Sequence, residues 1–369
     1  MAKAAPPDKR FKRLLEFPSE PRYPTVTGLH DTSVKNLSEE KLLQLCDIII
    51  DTAKGLDSRV IIDGSCAFSD VSVAVVNSHG ISQSIPYSSS RMFCTTSIRL
   101  SDENIGTGFE LWLSRDARGL EKQAERISNV AVEEAQKALN PQKPSSGVFP
   151  VVFHGRHSHS WLTTVIQSGV SAKSLMDGVS YFSDRLGTAV MSEGVQVVDD
   201  PLVAGGFGSG PFDDEGAPTS RQEIIGLDGV LRKFVTDSYT ANAQDLPITG
   251  HASRGNPATR STPALHQLQI GAGNDGKLDD LIKEVKKGFY VESSLTDMGL
   301  KGPNISEKLS RAFYVENGEI RYPVRDAMIA GNVHSFLKGI RAVGSELVVE
   351  FGRQAPPIRV EEMTVSGPK

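Results

Sequence analysis

AFYVENGEIRYPV, residues 312–324, sets two runs of strand-forming residues on either side of Asn317-Gly318. Both turn residues tolerate positive φ, which a two-residue hairpin needs at its centre, so the stretch reads as a tight antiparallel hairpin. EIIGLDGVLRKFV, residues 223–235, carries the same signal at Asp228-Gly229. Outward from these hairpins, VFPVVF (148–153), VQVVDD (195–200), ELVVEF (346–351) and IRVEEMTV (358–365) also read as strands. LDDLIKEVKKG, residues 278–288, reads as a helix closed by Gly288. A short helix is expected around Ser160–Ile166. No repeat of fixed period runs through the chain, which argues against solenoids and propellers.

Towards the N-terminus the pattern changes. Ser38 stands as an N-cap before Glu39 and Glu40, and Leu42, Leu45, Cys46, Ile49 and Ala53 recur at helical spacing until Gly55. From Val60 to about Arg115 short alternating runs follow (VSVAVV, ISQSIPYSS, MFCTTSIRL, GTGFELWLS), the pattern of an antiparallel meander. Leu120, Ala124, Ile127, Ala131, Ala135 and Ala138 mark a second helix, stopped at Asn140-Pro141 because proline cannot continue it. The fold class is therefore α+β. The expected layout is an extended, proline-rich arm over 1–37 that wraps a neighbour or partner, a helix-and-antiparallel-sheet domain over 38–147 ending in the linker PQKPSSG, and a β-rich mixed domain over 148–369.

Composition limits the function classes. The 369 residues are 38% hydrophobic and 23% charged with a formal net charge of -5, without the basic excess of a nucleic-acid binder. No apolar run reaches the ~18–20 residues of a membrane span, and the start MAKAAPPDKRFKRL lacks an apolar signal core. The expected location is cytoplasmic. Cys46, Cys66 and Cys94 form no CxxC pair and read as buried thiols.

The densest concentration of possible chemistry is His154-Gly155-Arg156-His157-Ser158-His159, directly after a strand. Its spacing does not build a helical metal site, and Gly155 stands where an HExxH motif has glutamate, so a solvated loop is the plainer expectation. Asp199-Asp200 and Asp213-Asp214-Glu215 could hold a hard cation or do acid–base work, but adjacent carboxylates at a strand end or turn read more plainly as solvated or capping backbone amides. His251 reads as a lone loop histidine, and His79, His266 and His334 show no triad pattern either. The glycine-rich stretch 204–220 contains no GxGxxG opening a helix, and Pro211 interrupts it.

Seven stretches resemble the TldD/PmbA metallopeptidase family, once described as modulators of DNA gyrase. They are VAVVNSHGISQS (73–84), VQVVDDP (195–201), PFDDEGAPTSRQEIIGLDGVL (211–231), TDSYTANA (236–243), TGHASRG (249–255), FYVENGEIRYPVRDAMIAGN (313–332) and AVGSEL (342–347). The resemblance implies a family in which TldD subunits bind zinc through HExxxH on a helix ahead of the VVDD strand, together with a cysteine near the C-terminus. Counting back from Asp199, those motif positions fall on Thr163, Thr164 and Ser168, and no cysteine follows Cys94. The chain thus resembles the PmbA/TldE type, which implies a non-catalytic subunit of a cytosolic zinc peptidase acting on short or unfolded peptides. On this reading no metal is expected in this chain, and zinc is expected in a TldD-type partner. The family's first helix-and-sheet unit has no counterpart before PRYPTVTGLHD, so pairing in the family manner is an open expectation. Two rivals stand beside this reading. One is an independent metal-dependent hydrolase using His154, His157 and His159 with Asp199 or Glu215; the other is a homodimeric peptide-binding protein without catalysis.

Overall fold

The computed structural model describes Leu15 and residues 21–293 and 298–367, which form a mixed α+β protein. Residues 21–31 lie against the rest of this chain. The Ser88 N–H donates to the Leu29 carbonyl, the Gly205 N–H to Thr27, and the Tyr23 hydroxyl to Gly216. The described part of the expected arm therefore wraps its own chain, because its backbone groups find partners there. Residues 1–14 and 16–20 lie outside the described residues.

After a one-turn helix α1 (Thr32–Lys35), α2 (Glu39–Leu56) begins where the cap and first-turn acids place it, with Ser38 Oγ accepting the Lys41 N–H. The alternating runs that follow join into three long antiparallel strands, β1 (Ile61–Val76), β2 (Ser82–Ser101) and β3 (Asn104–Ser114). β1 and β2 pair without a break from Ile61↔Ser97 to Val76↔Ser82, which is why the separate short runs seen in the sequence fuse. Helix α3 (Leu120–Lys137) packs on this sheet, and Leu45, Ile49, Met92, Cys94, Ile127 and Ala131 fill the space between. Leu45, Ile49, Met92 and Ile127 each contribute roughly 1.5–3 kcal/mol on burial. The approach of α3 to β3 is close enough to require glycine: a Cβ at Gly106 or Gly108 would lie 1.9 Å from the carbonyl oxygen of Ala135 or Ala131. Cys94 is buried, while Cys46 and Cys66 are half-buried side by side; burial pushes the Cys66 thiol up to about 12.

The second large sheet carries β4 (Gly147–Phe153) near its middle. It runs Gly299–Lys301, Asn304–Leu309, Ala327–Asn332, Ile358–Ser366, β4, Lys287–Ser293, Arg311–Glu316, Glu319–Pro323, with Ile340–Val343 also paired to Ile358–Ser366. The hairpin at 312–324 forms as expected, with Asn317 at φ 53° and Gly318 at φ 76° between the paired Glu316 and Glu319. At Asp228-Gly229 only Gly229 takes positive φ, and the turn is wider: Gly226 donates to the Val230 carbonyl and Gly229 to that of Gly226. The expected helix over 278–288 stops early, at Leu278–Lys283, and Gly288 lies in a strand. Tertiary pairing overrides helix periodicity there, since Phe289, Tyr290 and Val291 are inserted between β4 and Arg311–Glu316.

Helix α4 (Gly155–Val170) follows β4 directly, starting several residues before the expected Ser160. Its inner face meets the largest core, built around Phe153, Trp161, Phe182, Phe289 and Phe336. A third sheet, in the order Val348–Glu350, Arg353–Ala355, Leu268–Ile270, β5 (Val197–Asp199) and β6 (Gln222–Ile225), closes the region where the candidate site lies.

Candidate functional site

The histidine cluster is the start of α4, correcting the expectation of a solvated loop. His154 is the N-cap, its Nδ1 accepting the Arg156 N–H, and the next residues continue as helix because they complete buried contacts. His157 turns inward. It is 4% exposed, stacks on Phe153 with ring centroids 5.6 Å apart, and places Nε2 3.0 Å from Glu307 Oε2, the oxygen to which Trp161 Nε1 donates at 2.5 Å. His159 faces another way, with Nε2 3.2 Å from the Leu268 carbonyl and Nδ1 3.4 Å from Thr163 Oγ1. Burial pushes both His154 and His159 down to about 4. Successive helical residues rotate by ~100°, so the three rings diverge instead of converging on one ion.

Thr163 and Thr164 line a cleft of about 240 Å³ above α4, together with Arg156, His159, Glu350 and Arg353. Thr164 Oγ1 donates to the Ser160 carbonyl at 3.0 Å, and Ser168 lies half-buried one turn further on. Arg156 crosses the wall of this cleft, reaching Glu110 of β3 at 2.9 Å and Glu350 at 2.5 Å. Glu110 is 2% exposed, and its two arginine partners, Arg126 and Arg156, satisfy a charge that would otherwise be costly to bury.

Of the two expected states, solvated or capping backbone amides, the second describes most of these carboxylates, and Asp199 and Asp213 are buried, not solvated. Asp200 Oδ1 accepts the Leu202 N–H, and buried Asp213 accepts the N–H groups of Glu215, Ala217 and Ala252. Burial pushes Asp213 up to about 6. Asp214 accepts from Arg254 N–H, and Glu215 from Ser238 N–H and Ser261 Oγ, so this acidic run fastens the glycine-rich loop to its neighbours.

The exception is Asp199, which joins histidines the sequence leaves isolated. Its Oδ2 lies 3.0 Å from His251 Nε2, and the His251 and His266 rings are 5.1 Å apart. His251 is therefore not a lone loop histidine, and His266 stands beside it. Pairing of β5 with Leu268–Ile270 brings the 266–267 backbone onto the Asp199 carboxylate, and both N–H groups donate to it. Burial opposes ionisation of Asp199, but His251 and these N–H donors hold its carboxyl below the ordinary range. Burial likewise holds His251 below the usual imidazole range, against the pull of Asp199. Among the described residues, Asp199, His251 and His266 are the one group of three potential ligands whose donor atoms all lie within 4.8 Å of one another. No local spacing signals it; 52 residues separate Asp199 from His251.

Residues 146–367 match the family model described as the PmbA/TldA metallopeptidase C-terminal domain. The chain belongs to the PmbA/TldD family. It is 28% identical over 361 residues to a metalloprotease PmbA homolog of Haemophilus influenzae, covering 92% of this chain and 76% of that protein. A metalloprotease TldD homolog of Buchnera aphidicola is 27% identical over 382 residues, covering 97% of this chain and 78% of the relative. TldE from Thermococcus kodakarensis shares the fold with a TM-score of 0.84 at 24% identity, over 100% of this chain and 82% of its own. A modulator of DNA gyrase, so described, from Thermotoga maritima gives 0.83 at 24%, over 97% and 80%. The family resemblance read from the seven stretches is thus borne out, and Thr163, Thr164, Ser168, Asp199, His251 and His266 all fall inside the matched region. Among the described residues no helix is long and apolar enough to cross a membrane.

Proposed function

We propose that this chain is a PmbA/TldE-like, non-catalytic subunit of a cytoplasmic metallopeptidase that handles short or unfolded peptides, with a TldD-type partner supplying the zinc site. The donor set on α4 carries this reading. Where the family's catalytic subunits have two imidazoles and a carboxylate, this helix offers the hydroxyls of Thr163, Thr164 and Ser168, and the Thr164 hydroxyl is bonded to its own helix backbone. A neutral hydroxyl neither holds zinc as an imidazole does nor accepts a proton from a zinc-bound water as a glutamate does, so the set does not fit that ion. The independent-hydrolase alternative is disfavoured by the divergence of His154, His157 and His159.

Peptide handling draws support from β1. It is an edge strand of its sheet, its outer edge is unpaired among the described residues, and Val71, Val73 and Val76 are exposed along it. An extended peptide can pair with such an edge largely through main-chain hydrogen bonds, without regard to its sequence. The test is co-expression with a family member that carries HExxxH. The expected result is a stable complex in which this chain raises cleavage of an unstructured peptide, while this chain alone cleaves nothing. Peptidase activity in the isolated chain, or a failure to associate, would overturn the proposal.

A further inference from the structure

The contacts of Asp199, His251 and His266 contain a conflict that hydrogen bonding leaves unresolved in its simplest form. His251 Nδ1 lies 2.9 Å from the Thr249 carbonyl, and His266 Nε2 lies 2.7 Å from that of Gly250. A carbonyl only accepts, so the single proton of each neutral ring belongs on those nitrogens. The remaining nitrogens, Nε2 of His251 and Nδ1 of His266, then present lone pairs. For His251 that lone pair faces Asp199 Oδ2 at 3.0 Å, one acceptor against another, at residues 1% and 0% exposed. A cation between them turns the clash into two ligand bonds.

The surroundings suit an ion. The Gln267 N–H donates to Asp199 Oδ1 at 2.7 Å, the His266 N–H is shared between Oδ1 at 3.0 Å and Oδ2 at 3.1 Å, and Oδ2 also faces His251. Metal-ligating histidines commonly give their other N–H to a backbone carbonyl, the arrangement both rings have here. His266 also lines a chamber of about 300 Å³ with Tyr87, Arg115, Ser209 and Asp214, so one coordination position can open to water or a ligand. The Ser209 hydroxyl on that wall is buried and has no protein partner.

We propose that Asp199, His251 and His266 form a binding site for a divalent first-row transition ion of the zinc class, with its open position towards this chamber. Two imidazoles and one carboxylate are a donor set that zinc, cobalt and iron accept. The site uses none of the α4 positions, so it is independent of the non-catalytic reading, and it sets aside the expectation that this chain holds no metal. The ion ties the 249–251 loop and the 266–267 segment to the end of β5, and its binding therefore stabilises the fold.

The competing solution is also specific. Thr249 Oγ1, 2.9 Å from His251 Nδ1, can donate to it, leaving the Nε2 proton for a direct bond to Asp199 and no role for an ion. Titration of the full, chelator-treated chain with Co²⁺ separates the two. The expected result is saturable binding of one ion per chain, with the visible absorption of a low-symmetry N/O site, displacement by Zn²⁺, and a raised Tm. His266→Ala, at a half-exposed position whose loss leaves the core intact, should weaken binding by at least about tenfold; the double variant H154A/H159A should leave it unchanged. Absence of saturable binding in the wild type, wild-type binding by His266→Ala, or loss confined to H154A/H159A would each overturn the proposal.

Discussion

Acid should destabilise this protein through His159, and the size of the effect follows from the structure. The ring is half-buried, with Nε2 3.2 Å from the Leu268 carbonyl, and its partial removal from water lowers its pKa from the ordinary 6.5 to about 4. The unfolded chain therefore takes up this proton at a pH where the folded chain does not. Stability from this group is fully present above about pH 6.5 and is lost as the pH falls towards 4, at about 1.4 kcal/mol per pH unit for one proton. Across the interval the loss is about 3 kcal/mol, a large fraction of the ~5–15 kcal/mol typical of a folded domain. His159→Gln keeps an amide donor for Leu268 and removes the titration. The assay is urea unfolding of both proteins, followed by tryptophan fluorescence at a series of pH values from neutral to about 4, with Trp161 two residues along the same helix as reporter. Other acid-sensitive groups, Asp213 and His154 among them, are common to both chains and cancel in the difference. The variant should start less stable at neutral pH and gain on the wild type by about 3 kcal/mol as the pH falls. Parallel curves for the two proteins would refute the reasoning, since they would mean that folded and unfolded states bind this proton alike.

Two further perturbations address the packing that holds the site. Gly108→Ala places a Cβ 1.9 Å from the Ala131 carbonyl oxygen, so α3 must move off β3; a loss of about 1–3 kcal/mol is expected, read as a Tm lowered by several degrees, and an unchanged Tm would mean that the helix is not held at this distance. Trp161→Phe removes the indole N–H that donates to the buried Glu307 carboxylate; a loss of about 2 kcal/mol is expected from the urea midpoint, and an unshifted midpoint would show that Glu307 does not depend on the indole.

The sequence by itself determined the elements whose signals are local. Ser38 with its following acids, the Asn317-Gly318 turn and the stop at Asn140-Pro141 act over a few residues, where cap geometry, positive φ and the missing proline N–H are fixed by residue type. It pointed to the family too, through seven stretches read as a resemblance, all but the first of them inside the region 146–367 that the family model matches, and that resemblance set Thr163, Thr164 and Ser168 on the helix before β5. What only the tertiary structure decided depends on partners distant in the chain. Residues 284–288 follow helical periodicity, yet β4 and Arg311–Glu316 claim the run beyond Lys287 for a sheet. The six residues from His154 to His159 look like a polar loop until Phe153 and Glu307 meet the His157 ring and the Leu268 carbonyl meets that of His159. Asp199, His251 and His266 carry no shared spacing at all. They meet because antiparallel pairing sets residues 266–267 across from the end of β5, and hydrogen-bond register, unlike a cap or a turn, is a property of two segments at once.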